Sequence, residues 1–327
     1  MSDWTAADIP DLTGRTVVVT GANSGVGFAG TEAFARNGAS VVMACRSVDR
    51  GERAAAEIRE SVSRVDPTVG EADPEADLDV RECDLASLAS VESFAAGVRG
   101  DYDALHVLCN NAGVMAIPRR ETEDGFEYQF GVNHLGHFAL TGRLLDLLVG
   151  APGEARVVTQ SSGAHERGDV DFEDLHSEDA YDRWSAYAQS KLANVLFAYE
   201  LQRRLDGAGI EDATSVACHP GWAATNLQAR SAGGSRVRRA FMNAANALFA
   251  QSPEGGALPM LYAATAEGIT GGDYVGPGGL LDMRGAPETQ RSSERSYDEE
   301  VAERLWAVCA DETGVTYDLE RAVTTGG

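Results

Sequence analysis

Short β-branched apolar runs alternate with longer stretches of helical periodicity, and this alternation limits the folds open to the chain more than any other feature. Thr16 to Thr20, Ser40 to Ala44, Leu78 to Cys83, Leu105 to Cys109, Ala155 to Gln160 and Thr214 to Cys218 read as strands. Between them, Gly25 to Asn37, Arg50 to Arg64, Ser87 to Arg99, Glu123 to Leu148 and Trp184 to Leu205 carry helix-period apolar positions. A strand that reaches its neighbour only through a helix must pair parallel, and right-handed crossovers then place helices on both faces. The expectation is an α/β fold with a doubly wound parallel sheet in three layers, α/β/α.

The 327 residues suit one such sheet, with no internal repeat and no second domain. We therefore expect a single domain over 1–327, its core at about 12–275. Asp66 to Asp77, with two prolines and five acids, reads as a polar surface insertion. After Cys218 the pattern loosens through Ala229 to Ala250. A helix from Pro253, a last strand around Tyr274 and a tail helix near Glu299 to Ala310 follow.

Acidic residues outnumber basic ones 51 to 27, for a formal charge of -24. Such a field repels nucleic acid phosphates and anionic lipid headgroups, so neither is an expected partner. The excess is spread along the whole chain, as suits a protein hydrated at molar salt, and implies loss of stability on transfer to millimolar salt. Cys45, Cys83, Cys109, Cys218 and Cys309 stand far apart with no Cys-x-x-Cys pair, and read as buried free thiols. No membrane span or leader-like run is evident, so the expected location is cytoplasmic.

Directly after the first strand come Thr20, Gly21, Ala22, Asn23, Ser24, Gly25, Val26 and Gly27, and then a helix. Backbone N–H groups and the positive helix end there suit a dinucleotide pyrophosphate, and glycines let the backbone approach it. Position between first strand and first helix makes this a Rossmann-type signal, although the spacing is Gly-x-x-x-Gly-x-Gly. At the end of the second strand, where an acid would grip the ribose of NAD, the chain reads Ala44, Cys45, Arg46. A guanidinium there favours a 2′-phosphate, so the expected cofactor is NADP(H).

Tyr187 and Lys191 lie four apart in a predicted helix and share a face. A free phenol titrates near 10, and a nearby cation lowers it toward usable acid–base chemistry on a carbonyl oxygen. Lys191 is the only lysine among 27 basic residues. In a chain that uses arginine wherever a cation suffices, a compact ammonium with three donors looks required there.

The glycine loop, Asn110 to Gly113 after the fourth strand, Asn133, the Ser161–Ser162 pair, and Tyr187 with Lys191 resemble the short-chain dehydrogenase/reductase family from about Leu12 to Tyr274. Within it the chain is most similar to the retinol dehydrogenase and WW-domain oxidoreductase branch, through Ala44–Cys45–Arg46, Asn133 to Phe138, Ser190 to Asn194 and Glu303 to Trp306. The resemblance implies that Tyr187 protonates the substrate oxygen and Lys191 holds the nicotinamide ribose and tunes Tyr187. It gives Asn133 a water-positioning role in a proton relay and makes Ser162 the donor to the carbonyl. Ser162 is chosen over Ser161 because its 25-residue separation from Tyr187 matches that branch. For the cofactor it implies Gly21, Asn23, Ser24, Gly25, Val26 and Gly27 at the phosphates, Arg46 at the 2′-phosphate, and Asp84 and Leu85 at the adenine. Asn111 would lie along the adenosine side, Pro220, Gly221 and Thr225 at the carboxamide, and Ala112 and Gly113 would also bind the cofactor.

His134, His137, His165, His176 and His219 lack a plausible ligand spacing, and hydride transfer needs no metal, so packing or rim positions are expected for them. Phe172, Leu175, Tyr181 and Trp184, with Phe241, Met242, Leu248 and Phe249, could wall an apolar pocket or equally be core or subunit contacts. Segments at about 222–250 and 276–327 would then lie on the substrate side. The resemblance implies a hydrophobic aldehyde or ketone, or the matching alcohol, as substrate, and a homo-oligomer built on the fourth and fifth helices. Two other readings are open: a non-catalytic NADP-sensing regulator, and a reductase of carbon–carbon double bonds.

Overall fold

The computed structural model describes residues 4–63, 76–221, 252–279 and 284–319. The strands are β1 (Thr16–Thr20), β2 (Ser40–Cys45), β3 (Leu78–Glu82), β4 (Val107–Asn110), β5 (Ala155–Gln160), β6 (Ala213–Cys218), β7 (Tyr274–Pro277) and β8 (Pro287–Gln290). They form one sheet in the order β3-β2-β1-β4-β5-β6-β7-β8. Neighbours are parallel up to β7, and β8 closes the edge antiparallel to it. The order reverses between β1 and β4, so a crevice opens at the C-terminal ends of those strands, where open α/β sheets bind ligands.

Why Val17, Val18 and Val19 can all be apolar follows from helices on both sheet faces. Val17 and Val19, with Val41, Met43 and Val107, enter one core with Phe34 of α1 (Gly25–Arg36), Ile58 of α2 (Val48–Ser63) and Met260 of α8 (Pro253–Thr265). Val18, Val42 and Leu108 enter the other, with Phe94 of α3 (Leu88–Asp101), Phe138 of α5 (Gly136–Arg143), Leu196 of α7 (Arg183–Gly207) and Trp306 of α9 (Glu299–Thr313). The strict alternation of side is the two-residue period of the pleat, and it yields the three-layer α/β/α arrangement.

The stretch predicted as one helix over Glu123 to Leu148 is broken. Gly125 turns the chain at φ 91°, Glu121 and Glu127 form an isolated antiparallel bridge, and the Glu127 carboxylate accepts from Phe130 N to start α4 (Tyr128–Phe130). A π-helical turn, Gly131–Leu135, follows and runs into α5; Leu144 then separates α5 from α6 (Leu145–Val149). β8 was not foreseeable, since Pro287, Glu288, Thr289 and Gln290 show no apolar alternation. Tail helix α9 runs to Thr313 and stops at Gly314, which takes the left-handed conformation at φ 64°. The predicted Asp66–Asp77 insertion lies almost wholly outside the described residues, as do Ala229 to Ala250, Thr225, Phe241, Met242, Leu248 and Phe249.

Candidate active site

The glycine loop joins β1 to α1 at the crevice. Gly21 and Gly25 have φ of 68° and 58°, which favour glycine. A Cβ on Gly27 would strike the Gly21 carbonyl and come within 2.6 Å of Asn111 Nδ2, so the turn closes only on glycine. Ser24 is the N-cap of α1, yet its hydroxyl makes no capping bond. The first-turn N–H groups therefore keep their donors for an anion. Asn111 and Ala112 are fixed beside this cradle by Thr20: both backbone N–H groups donate to Thr20 Oγ1 at 2.9 Å, and Asn111 Nδ2 donates to the Thr20 carbonyl at 2.7 Å. Backbone donors, glycine clearance and an uncapped helix end together fit a dinucleotide.

Arg46 lies exposed just beyond β2 and donates to Tyr128 Oη at 3.1 Å. Asp84 Oδ1 accepts from Ala86 N at 3.0 Å, while Leu85 packs under Gly136, where an added Cβ would come within 2.6 Å of the Leu85 carbonyl. Pro220 and Gly221 follow β6, with Gly221 at φ 62°. The predicted cofactor residues among the described ones thus line the C-terminal ends of β1, β2, β4 and β6 and the loop beyond β3.

Tyr187 and Lys191 sit on one face of α7, with Lys191 Nζ 6.0 Å from the Tyr187 ring centroid. Lys191 is 4% exposed and donates to the Gln160 carbonyl at 3.0 Å. The two candidate serines have different engagements. Ser161 donates to the Lys191 carbonyl at 2.7 Å, whereas Ser162 caps the turn Gly163–Arg167 and is the hydrogen-bonding neighbour of the Tyr187 phenol. Asn133, fully buried in the π-turn, clamps Val114 through Oδ1 (2.8 Å from N) and Nδ2 (2.9 Å to O), and also donates to Ser190 Oγ. Gly113 leaves room between them: a Cβ there would lie 3.0 Å from Asn133 Oδ1 and 3.6 Å from Lys191 Nζ.

The electrostatics correct one sequence expectation. Lys191 is not what governs the Tyr187 phenol here; burial pushes it up, and the Ser162 hydrogen bond opposes that rise. Lys191 itself is pulled down to about 8 by burial, with Cys218 pulling the other way. His134 and His137 are buried beneath the site and held neutral, lowered by burial to about 4 and about 3. Their expected packing role is thus only part of what they do. His137 Nδ1 meets the Asn133 carbonyl at 3.0 Å and its Nε2 meets Thr20 Oγ1 at 2.9 Å. Sequence reading also passed over Thr20, Gln160 and Asn194 as organisers of the site. Thr20 and Gln160 each end a strand at the crevice, and that position was their available signal. Among the described residues no cluster of three or more His, Cys, Asp or Glu could hold a metal, and no helix is long and apolar enough to cross a membrane.

A nucleotide-binding crevice beside a buried tyrosine–lysine pair defines a nicotinamide-dependent oxidoreductase site on a doubly wound sheet. Residues 15–234 match the family model described as short chain dehydrogenase, and the chain belongs to that family, which uses a nicotinamide cofactor. Its similarity to the retinol dehydrogenase branch is substantial: it is 42% identical to human retinol dehydrogenase 13 over 310 residues, covering 93% of this chain and 86% of the relative. Among solved structures, an uncharacterized protein from Mycobacterium paratuberculosis superposes with a TM-score of 0.77 at 40% identity, covering 97% of this chain and 99% of the other. A Beutenbergia cavernae protein described as an NAD(P)-dependent gluconate 5-dehydrogenase, with NADP at low occupancy, superposes with a TM-score of 0.60 at 26% identity over 81% of this chain and 95% of its own.

Proposed function

We propose that the protein is an NADP(H)-dependent oxidoreductase interconverting a hydrophobic aldehyde or ketone and its alcohol. The observation that carries this reading is the convergence of Ser162, Tyr187, Lys191 and the Asn133-clamped Gly113–Val114 loop at one end of the crevice, beside the glycine cradle. When bound, the nicotinamide supplies or accepts the hydride. Ser162 donates to the substrate oxygen and Tyr187, kept protonated by burial, delivers its proton as charge develops there. Lys191 would hold the nicotinamide ribose, while Asn133 orders the Gly113–Val114 loop. Gly21, Asn23, Ser24, Gly25, Val26 and Gly27 would hold the phosphates, Asp84 and Leu85 the adenine, Asn111 the adenosine side, and Pro220 and Gly221 the carboxamide, with Ala112 and Gly113 alongside the cofactor.

Arg46 supports NADP over NAD: an exposed guanidinium just beyond β2 stands where NAD-binding sheets of this kind carry a carboxylate. The NADP in the Beutenbergia relative points the same way. The retinol dehydrogenase relatives support an apolar substrate, and exposed Trp184, edge-on to Tyr187 at 6.3 Å, offers it a wall. The assay is NADPH oxidation against a carbonyl panel including all-trans-retinal and nonanal, with Tyr187→Phe as control. Turnover by wild type that falls by about 10²–10⁴ in the variant is expected. Cofactor binding without turnover across the panel would favour a regulator instead.

A further inference from the structure

Beneath Lys191 a chain of buried hydrogen bonds runs out to the C-terminal helix, and each donor in it can be assigned. The Gln160 carbonyl accepts from both Lys191 Nζ at 3.0 Å and Asn194 Nδ2 at 2.9 Å. A carbonyl can only accept, so the Asn194 amide faces Gln160 with its NH₂ and presents Oδ1 to His134 Nδ1 at 3.1 Å. That oxygen is also only an acceptor, which places the proton of neutral His134 on Nδ1 and leaves Nε2 to accept. The remaining contact, His134 Nε2 with Cys309 Sγ at 3.2 Å, is therefore donated by the thiol. Burial holds that group in its protonated form.

Every link is inaccessible: Asn194 is 1% exposed, His134 2% and Cys309 0%. Aromatic rings enclose the imidazole, Phe130 at 5.2 Å and Phe197 at 6.2 Å between centroids.

We propose that Asn194, His134 and Cys309 are positioning residues for Lys191, and that helix α9 thereby sets the orientation of the ammonium in the site. Asn194 shares the carbonyl on which Lys191 rests, so the direction of its amide fixes which lone pair the ammonium takes. His134 fixes that direction, and the Cys309 thiol fixes His134. The groups facing Lys191 that carry or could carry charge are Tyr187, Cys218, His134 and His137. Only His134 connects it to α9.

The test exploits the single lysine. Selective ¹⁵N-lysine labelling of the full chain gives one side-chain Nζ signal, whose titration reports Lys191 without substrate or cofactor. Cys309→Val keeps the volume and removes the donor, and Cys309→Ser restores a donor. In Cys309→Val we expect the Lys191 titration to move by roughly half a unit and kcat to fall roughly tenfold, with KM for NADPH nearly unchanged. Cys309→Ser should return both toward wild type. His134→Phe should reproduce the Val effect where it folds. A Cys309→Val protein that is less heat-stable but keeps the wild-type Lys191 titration and kcat would overturn the proposal. The kinetic arm rests on the oxidoreductase reading above, but the titration does not. Absence of turnover in wild type would therefore count against that reading, and an unmoved titration against this one.

Discussion

Replacing Lys191 with methionine should make the protein more stable while abolishing its chemistry. Burial lowers this lysine from the ordinary 10.5 to about 8. At neutral pH the folded chain nonetheless holds the ammonium charged, and it bears the full cost of burying it. The gap between 10.5 and about 8 corresponds to about 3 kcal/mol. Methionine has similar reach, no charge to desolvate, and leaves the Gln160 carbonyl still satisfied by Asn194. Setting about 1 kcal/mol against this for the lost Nζ hydrogen bond, the variant should be about 2 kcal/mol more stable at pH 7. For a chain of this size that is about 3 °C in melting temperature.

The pH dependence is specific. Below about pH 8 the ammonium is charged in both folded and unfolded chains, and the penalty is complete. Between about 8 and 10.5 the folded state has released the proton while the unfolded state still holds it, so wild-type stability rises with pH. Above 10.5 the penalty is gone. Calorimetric melts of both proteins at fixed salt, at pH 7 and at about pH 10.5, measure the difference directly. The reasoning is refuted if Lys191→Met melts below wild type at pH 7, or if its advantage does not shrink toward high pH.

Lys191→Arg keeps the charge, but the wider guanidinium must fit beside Gly113 and Gln160; turnover should fall roughly 10²-fold in the NADPH assay with the fold retained, and near wild-type rates would show that any cation suffices there. Arg46→Ala should lower kcat/KM for NADPH by about 10–100-fold and leave NADH nearly unaffected, the loss expected for one charge-assisted phosphate contact. Arg156 stabilises the end of α8: Nη1 donates to the carbonyls of Ala263 (3.1 Å) and Ala266 (2.9 Å), with Glu154 on its other nitrogens. Arg156→Leu should therefore cost about 2–4 kcal/mol in a denaturant melt without changing KM for NADPH, and an unchanged melt would remove the capping role.

The strands through β6 were legible because a sheet covered on both faces writes itself as continuous apolar runs such as Val17 to Val19. The glycine loop was legible because its glycines fall between a strand and a helix, where phosphate contact needs them. What escaped depended on partners distant in sequence. The π-turn at Gly131–Leu135 is set by Asn133 reaching Val114 and by Glu127 capping late, neither of which leaves a periodic signal. β8 pairs by backbone alone. The direction of the Tyr187 shift was misjudged because i, i+4 spacing reveals the nearby ammonium but not the degree to which the phenol is buried. Likewise, His134 and His137 looked like packing residues until their four ring contacts could be traced.

The π-turn also bears on how this helix tolerates change in length. The Gly136 N–H reaches back to the Gly131 carbonyl, a five-residue step where a regular helix takes four. One residue is thus accommodated in excess, and each residue rotates a helix by about 100°. Deleting one residue there would restore an ordinary helix and keep the phase of its two ends, but it would remove the widening that carries Asn133. The wide turn therefore absorbs one residue without turning α4 against α5, and Asn133 within it is held to Val114 and Ser190. Shortening this segment should be tolerated by the backbone and rejected by the site.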